Sequence, residues 1–313
     1  MIDPETNAPM VEDAELAMIL NKVPSLAGKP RQVWDLEGGL TNKNYKVVTD
    51  EGAVVVRVSP TQADLLSINR QHEFENSRRA AAVGIGAPIL DYLPEHSIMI
   101  VGYIDGSTFT DESFKLPGNI QRVASSCRRL HQAEPFVNEF NMFKIQAGYL
   151  RLVQDSGFRL PNRYTDYLPH VAQIQAALQA QSEPLVPCNN DLLAGNFVDD
   201  GEQIWLIDYE YSGNNDPCFE LGNVWSECHL TMTELEELIT AYYGAPLRNR
   251  IARAQLQGLM SKYGWTLWGS IQQATSSLDF DFWAWAMEKY DAAEQMFNGP
   301  VFARLLEEVQ RAD

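Results

Sequence analysis

Asn190-Asp191-Leu192-Leu193-Ala194-Gly195-Asn196 runs, through the turn Asp199-Asp200-Gly201, into Ile204-Trp205-Leu206-Ile207-Asp208-Tyr209-Glu210. Phosphoryl transfer needs a carboxylate near the acceptor hydroxyl and oxygen ligands that hold Mg²⁺ against the phosphates. An Asp, an Asn later in the same loop and an Asp closing an apolar strand supply all three. Asp191 is expected to orient the hydroxyl and take its proton, with Asn196 and Asp208 binding the metal. Taken singly, such residues are a capping Asp and a turn Asn on a surface loop. In this order, around a hairpin turn, the catalytic reading is the stronger.

Upstream, Leu36-Glu37-Gly38-Gly39-Leu40-Thr41-Asn42-Lys43-Asn44-Tyr45 joins two strand-like runs through a glycine pair and small polar residues. Backbone N–H groups around Gly39, Thr41 and Asn42 can approach phosphates there. Alone the segment reads as a plain turn, being neither a Walker A loop nor a G-x-G-x-x-G. Arg57 on the next strand and Glu73 on the following helix give it weight, because a strand cation paired to a helical carboxylate is how kinases hold the α- and β-phosphates.

Around these motifs the chain changes texture. Residues 32–36, 44–49 and 53–58 are short runs rich in Val and Tyr, and Pro60 ends the group. A polar-faced helix is predicted over 63–83, then strands over 89–93 and 97–103. Beyond Gly106 the spacing turns helical, over 119–131, 141–154 and 167–181, interrupted by the hairpin at 196–207. It is helical again from Met232, with 265–279 and 282–309 the longest segments. The predicted class is α+β, in two lobes: a small antiparallel-sheet N-lobe over 1–103 and a larger, mostly helical C-lobe over 104–313. ATP is expected between them, with adenine against the backbone around Val101 and Tyr103.

Trp265, Trp268, Phe280, Phe282, Trp283, Trp285 and Tyr290 form an aromatic block holding four of the chain's seven tryptophans. Aromatics at helical spacing more often build core than a cage. A quaternary ammonium, having no N–H donors, does need a box of ring faces. Placed after a kinase-type catalytic loop, the cage is the better reading.

Composition narrows the classes. The 313 residues carry a formal charge of −18, from 24 basic and 42 acidic side chains, which argues against nucleic acid and anionic membranes as partners. The four cysteines are widely spaced, as reduced thiols of a cytoplasmic protein would be. Residues 1–15 lack the basic and apolar regions of a signal peptide. The longest apolar stretch, 80–90, is broken by Gly84, Gly86 and Pro88 and is too short to span a bilayer.

Several segments resemble the choline/ethanolamine kinase family, a branch of the aminoglycoside-phosphotransferase-like kinases with the protein-kinase-like fold. Gly38-Gly39-Leu40-Thr41-Asn42 is similar to its G-G-[ML]-[TS]-N loop, and Asn69-Arg70-Gln71-His72-Glu73 to its N-R-x-x-E helix. Ile207-Asp208-Tyr209-Glu210-Tyr211-Ser212 is similar to its I-D-[FY]-E-Y-[SA] motif, continued by Asn214 and Leu221-Gly222-Asn223. Trp265-Thr266-Leu267-Trp268 with Ser276-Ser277-Leu278-Asp279-Phe280 resembles its choline-site helix. The resemblance implies an ATP- and Mg²⁺-dependent kinase acting on a small cationic amino alcohol such as choline. It also implies an acceptor pocket of Tyr211, Glu227, Trp265, Trp268, Phe280 and Trp285, with Glu227 adding a full negative charge to the ring faces. The chain departs from the pattern at Asn189, where the family has the histidine that braces the catalytic loop, at Glu220 in place of an Asp, and at Leu193, where eukaryotic members often carry a polar residue. Ethanolamine or an aminoglycoside as acceptor, and a catalytically silent kinase-like binding protein, are the competing readings.

Overall fold

The computed structural model describes residues 10–312 apart from 12, 37–38 and 60–62. Glu37 and Gly38 of the glycine loop, Pro60 and most of residues 1–15 therefore lie outside the described residues.

A short helix, α1 (Ala14–Leu20), precedes β1 (Gln32–Leu36), β2 (Lys43–Thr49) and β3 (Gly52–Val58). After α2 (Arg70–Ala82) come β4 (Ile89–Leu93) and β5 (Ile98–Gly102), completing an antiparallel sheet in the order β1-β2-β3-β5-β4. Alternation sets its two faces. Tyr45, Val47, Val56, Ile98 and Ile100 are buried together with Leu16 and Leu20 of α1. The sequence reading missed α1, which covers that face. The helix predicted over 63–83 is broken. A 3₁₀ turn spans Ala63–Leu66, Ser67 takes a positive φ of 59°, and Asn69 caps α2 by accepting from the amides of Gln71 and His72.

The C-lobe follows β6 (Ser107–Thr108) with α3 (Asn119–His131), α4 (Met142–Asp155) and α5 (Leu168–Gln179). The catalytic segment then comprises β7 (Val186–Cys188), β8 (Phe197–Asp199), β9 (Ile204–Leu206) and β10 (Gly213–Asn215). β8 and β9 form the predicted hairpin, with β6 along its edge, while β7 pairs with β10. Next come α6 (Pro217–Glu227), unpredicted, and α7 (Met232–Tyr243).

The centre of this lobe is α8 (Arg248–Thr275), 28 residues long and buried around most of its circumference. The predicted segment, 265–279, overlaps only its last eleven residues and runs past its end. A helix buried on all sides shows no apolar stripe to read. The segment expected over 282–309 is two helices, α9 (Phe282–Phe297) and α10 (Phe302–Glu308), separated at Asn298-Gly299-Pro300-Val301, where proline lacks the N–H to continue.

Candidate active site

The catalytic loop is held by side chains that capture its amides. Asn189 donates from Nδ2 to the carbonyls of Ile207 at 3.0 Å and Asp208 at 2.8 Å, and its Oδ1 accepts from Asp191 N–H at 3.1 Å. It thus ties the loop to the strand that delivers Asp208, and the brace expected of the family histidine is made by an amide. Glu220, fully buried on α6, accepts from the N–H groups of Asn189 at 2.9 Å and Asn190 at 2.7 Å. Asn223, one helical turn on, accepts from Leu192 N–H at 2.7 Å and donates to Ser261 of α8 at 3.0 Å. Asn190 and Asp208 adopt left-handed backbone, φ 69° and 61°, a conformation Asn and Asp tolerate better than most residues.

Asp191, Asn196 and Asp208 meet in one pocket with Glu210. Asn196 donates its Nδ2 to the Asp191 carbonyl at 2.7 Å, which leaves its Oδ1 as the acceptor end. Asn196 and Asp208 present oxygen donors, the set a hard cation takes. Burial, then Asp208, Glu210 and Glu227, push the Asp191 carboxyl well above the usual range, with Lys289 opposing. Burial followed by Asp208 likewise raises Glu210, against the pull of Arg57 and Arg70.

Arg57 lies 3.3 Å from Glu73, the expected pair, but its Nη2 is closer to Asp208 at 2.6 Å and also reaches Glu210 at 3.2 Å. Burial works against its charge; Asp208, Glu73 and Glu210 outweigh that and keep it protonated. The tightest partner of Glu73 is Arg70, at 2.6 Å, and Arg70 also touches Glu210. Asn42 donates to the same Glu210 oxygen at 2.9 Å. Glu210 therefore gathers Asn42, Arg57 and Arg70 of the N-lobe, a role invisible without the three-dimensional contacts although Arg70 and Glu210 both stand in quoted motifs.

Gly39 and Thr41 reach the same pocket. A Cβ on Gly39 would come within 2.6 Å of the Asn42 carbonyl, so glycine is required for this turn. Val101 and Tyr103 stand where the chain leaves β5. The N–H groups of Gly102 and Tyr103 donate to Pro88 and Ala53 carbonyls, and Lys46 lies over the Tyr103 ring at 4.4 Å.

Tyr211, Trp265, Trp268 and Trp285, expected to take the acceptor, line the same pocket. Trp268 donates from Nε1 to the Tyr211 hydroxyl at 2.8 Å, the Trp265 and Tyr211 rings are 4.7 Å apart, and Trp268 and Trp285 are 5.1 Å apart. Trp265 and Trp268 also belong to the largest buried cluster of the lobe, so cage and core are one surface. The structure places the other two expected residues differently. Phe280 is not on this wall: it is 41% exposed just before the Asp281 cap of α9, its ring against Phe282, which takes the buried place. Glu227 is on the wall, but its charge is not free. Lys289 of α9 binds its carboxylate and sits 4.3 Å over the Trp285 ring. Lys289 was missed; its spacing of one helical turn from Trp285 was the available signal.

A five-stranded antiparallel lobe, a helical lobe and an Asp-Asn-Asp floor between them define a protein-kinase-like small-molecule phosphotransferase. The chain belongs to the choline/ethanolamine kinase family, whose model matches residues 33–241. A crystal structure of a choline/ethanolamine kinase family protein from Mesorhizobium loti is similar with a TM-score of 0.84 and 33% identity, covering 95% of this chain and 98% of that one. Protein LicA of Haemophilus influenzae is 26% identical over 273 residues, 83% of this chain and 78% of that protein. Ethanolamine kinase 2 of Rattus norvegicus is 27% identical over 298 residues, 84% of this chain and 76% of that one. The chain is accordingly a nucleotide-binding small-molecule kinase that phosphorylates an amino alcohol. No helix among the described residues is long and apolar enough to cross a membrane.

Proposed function

We propose that this enzyme transfers the γ-phosphoryl group of ATP, with Mg²⁺, to the hydroxyl of choline or a close amino alcohol. The observation that carries the reading is one pocket lined at once by Asp191, Asn196 and Asp208 and by the rings of Tyr211, Trp265, Trp268 and Trp285. Ring faces suit trimethylammonium, whereas a primary amine is better served by carboxylates and carbonyls. Asp191 orients the hydroxyl and takes its proton as attack develops. Asn196 and Asp208 would hold Mg²⁺, which when bound neutralises charge on the phosphates. Arg57, braced by Glu73, faces the phosphates from the N-lobe. Gly39, Thr41 and Asn42 cover them, and the chain around Val101 and Tyr103 borders the adenine. The division between lobes is placed after Tyr103. Four buried, unpaired cysteines favour a reducing, cytoplasmic setting.

The test is ADP release with choline, ethanolamine and several aminoglycosides, each with and without Mg²⁺. Choline is expected to give the highest kcat/KM and chelation of Mg²⁺ to abolish turnover. Preference for ethanolamine would move the selectivity from the rings to the carboxylates. Turnover of none of them, by folded protein, would overturn the assignment.

A further inference from the structure

Glu227 lines the acceptor pocket and is bonded to Lys289 behind it, and both are nearly buried, with side-chain exposures of 8% and 11%. The Lys289 ammonium lies 4.3 Å over the Trp285 ring centroid. A cation above an indole face beside a carboxylate is how proteins recognise ammonium ligands. Here the cation is the protein's own.

A second ammonium stands close by. Lys262 of α8 donates to the Ser226 carbonyl at 3.0 Å, and its charge acts on Glu227 together with that of Lys289. Glu227 thus faces two ammonium groups, Lys289 and Lys262, the second of which also feels Glu288.

We propose that Lys289 is a specificity-determining residue: an internal ammonium that engages Glu227 and the Trp285 ring from behind the pocket wall and so confines the acceptor's cationic head to Tyr211, Trp265 and Trp268. The proposal rests on the amine-kinase reading above. It follows that Glu227 does not anchor the acceptor directly, since its charge is matched within the protein. It follows too that the head is limited in size, because one face of the fourth ring is already taken, and that a second positive charge on the acceptor is repelled.

The test is a double-mutant cycle of Lys289→Met, Glu227→Gln and the double variant, with Lys289→Arg as the charge-preserving control. The readouts are KM for choline and for its bulkier triethyl analogue, KM for ATP, and the choline-induced rise in Tm. Lys289→Met uncovers Trp285 and frees Glu227, so KM for choline should fall about tenfold, and more for the triethyl analogue. Glu227→Gln leaves an unmatched ammonium behind the pocket wall and should raise KM for choline about tenfold. The double variant should recover most of that loss, because the ammonium over Trp285 is gone and only Lys262, held by the Ser226 carbonyl, remains. KM for ATP should not follow these changes.

If Glu227 holds the acceptor directly, the double variant binds choline as poorly as Glu227→Gln, and the proposal fails. It fails equally if folded Lys289→Met shows an unchanged or higher KM for choline. Should Lys289→Met not fold, the double variant, which strands no carboxylate and leaves Lys262 on the Ser226 carbonyl, decides alone. Wild-type protein that phosphorylates no amine would overturn the amine reading itself, and this proposal with it; the variants fail only the second.

Discussion

Asp191 is subject to two opposed requirements. As a base it must be ionised, yet burial and then Asp208, Glu210 and Glu227 raise its carboxyl well above the ordinary range. The sign follows directly. Where the folded pKa exceeds the unfolded one, about 3.9 for Asp, the native state holds the proton more tightly, and stability is lost as pH rises through that window. At neutral pH ionised Asp191 therefore costs stability. Asp191→Asn should raise Tm while lowering kcat about 100-fold or more, a separation of stability from function. Calorimetry and steady-state kinetics on the same preparation check both; a lower Tm with near-normal turnover would contradict both halves. The acid limb of kcat/KM should also lie above the ordinary Asp range. This residue was legible in the sequence because its partners are local: Asn196 is in the same loop, and one hairpin returns Asp208. Its spacing from Trp285 was the one signal for Lys289; its pairing with Glu227 was not legible, because α6 and α9 are brought together only by their common packing on α8.

At the scale of elements, the loop is only as rigid as α6, and α6 is only as close as Gly222 permits. A Cβ at Gly222 would lie 2.1 Å from the Ala254 carbonyl oxygen and 2.9 Å from the Gly258 nitrogen, both backbone atoms of α8. Neither can move without separating the helices. Glu220 and Asn223, which hold the amides of residues 189, 190 and 192, flank that crossing. Gly222→Ala should therefore destabilise by about 1–3 kcal/mol, as overpacking does. It should also lower kcat more than it raises KM for ATP, since the catalytic loop shifts with α6. Gly148→Ala is the control, for α4 has open space there and alanine favours a helix. A melt in which both variants behave alike would refute the close-crossing argument. The same elements explain what sequence could not show. The N-lobe strands were readable from Val-rich alternation and the turn at 50–52. In α6, Asp216 and Pro217 carried an N-terminal signal. In the first half of α8, buried Gln255, Gln257 and Ser261 sit where a surface helix would expose polar residues, so periodicity gave no boundary.

Across the whole molecule, the N-lobe brings cations to a C-lobe floor of carboxylates. Arg57 is the centre of that contact, shared among Asp208, Glu210 and Glu73 at 9% side-chain exposure. ATP phosphates entering the cleft would compete with Asp208 for the guanidinium, so binding energy at Arg57 is realised against an existing ion pair. Arg57→Ala should then raise KM for ATP about tenfold or more and lower kcat, with KM for the acceptor nearly unaltered. It should diminish the ATP-induced rise in Tm as well. Arg57→Lys should restore only part of this, because one ammonium cannot reproduce a planar fork over several oxygens. Stability supplies an independent check. Losing a buried cation leaves Glu73 and Glu210 under-compensated, a cost of about 3–5 kcal/mol when a buried pair is broken. Glu210 is already raised by burial and Asp208, and without Arg57 its folded pKa rises further. Protonation relieves the unpaired charge, so the Tm deficit of Arg57→Ala against wild type should be smaller at pH 5 than at pH 8. A deficit that grew on acidification, or a KM for ATP that stayed at the wild-type value, would remove Arg57 from the phosphate side of the cleft and leave it a strut between lobes.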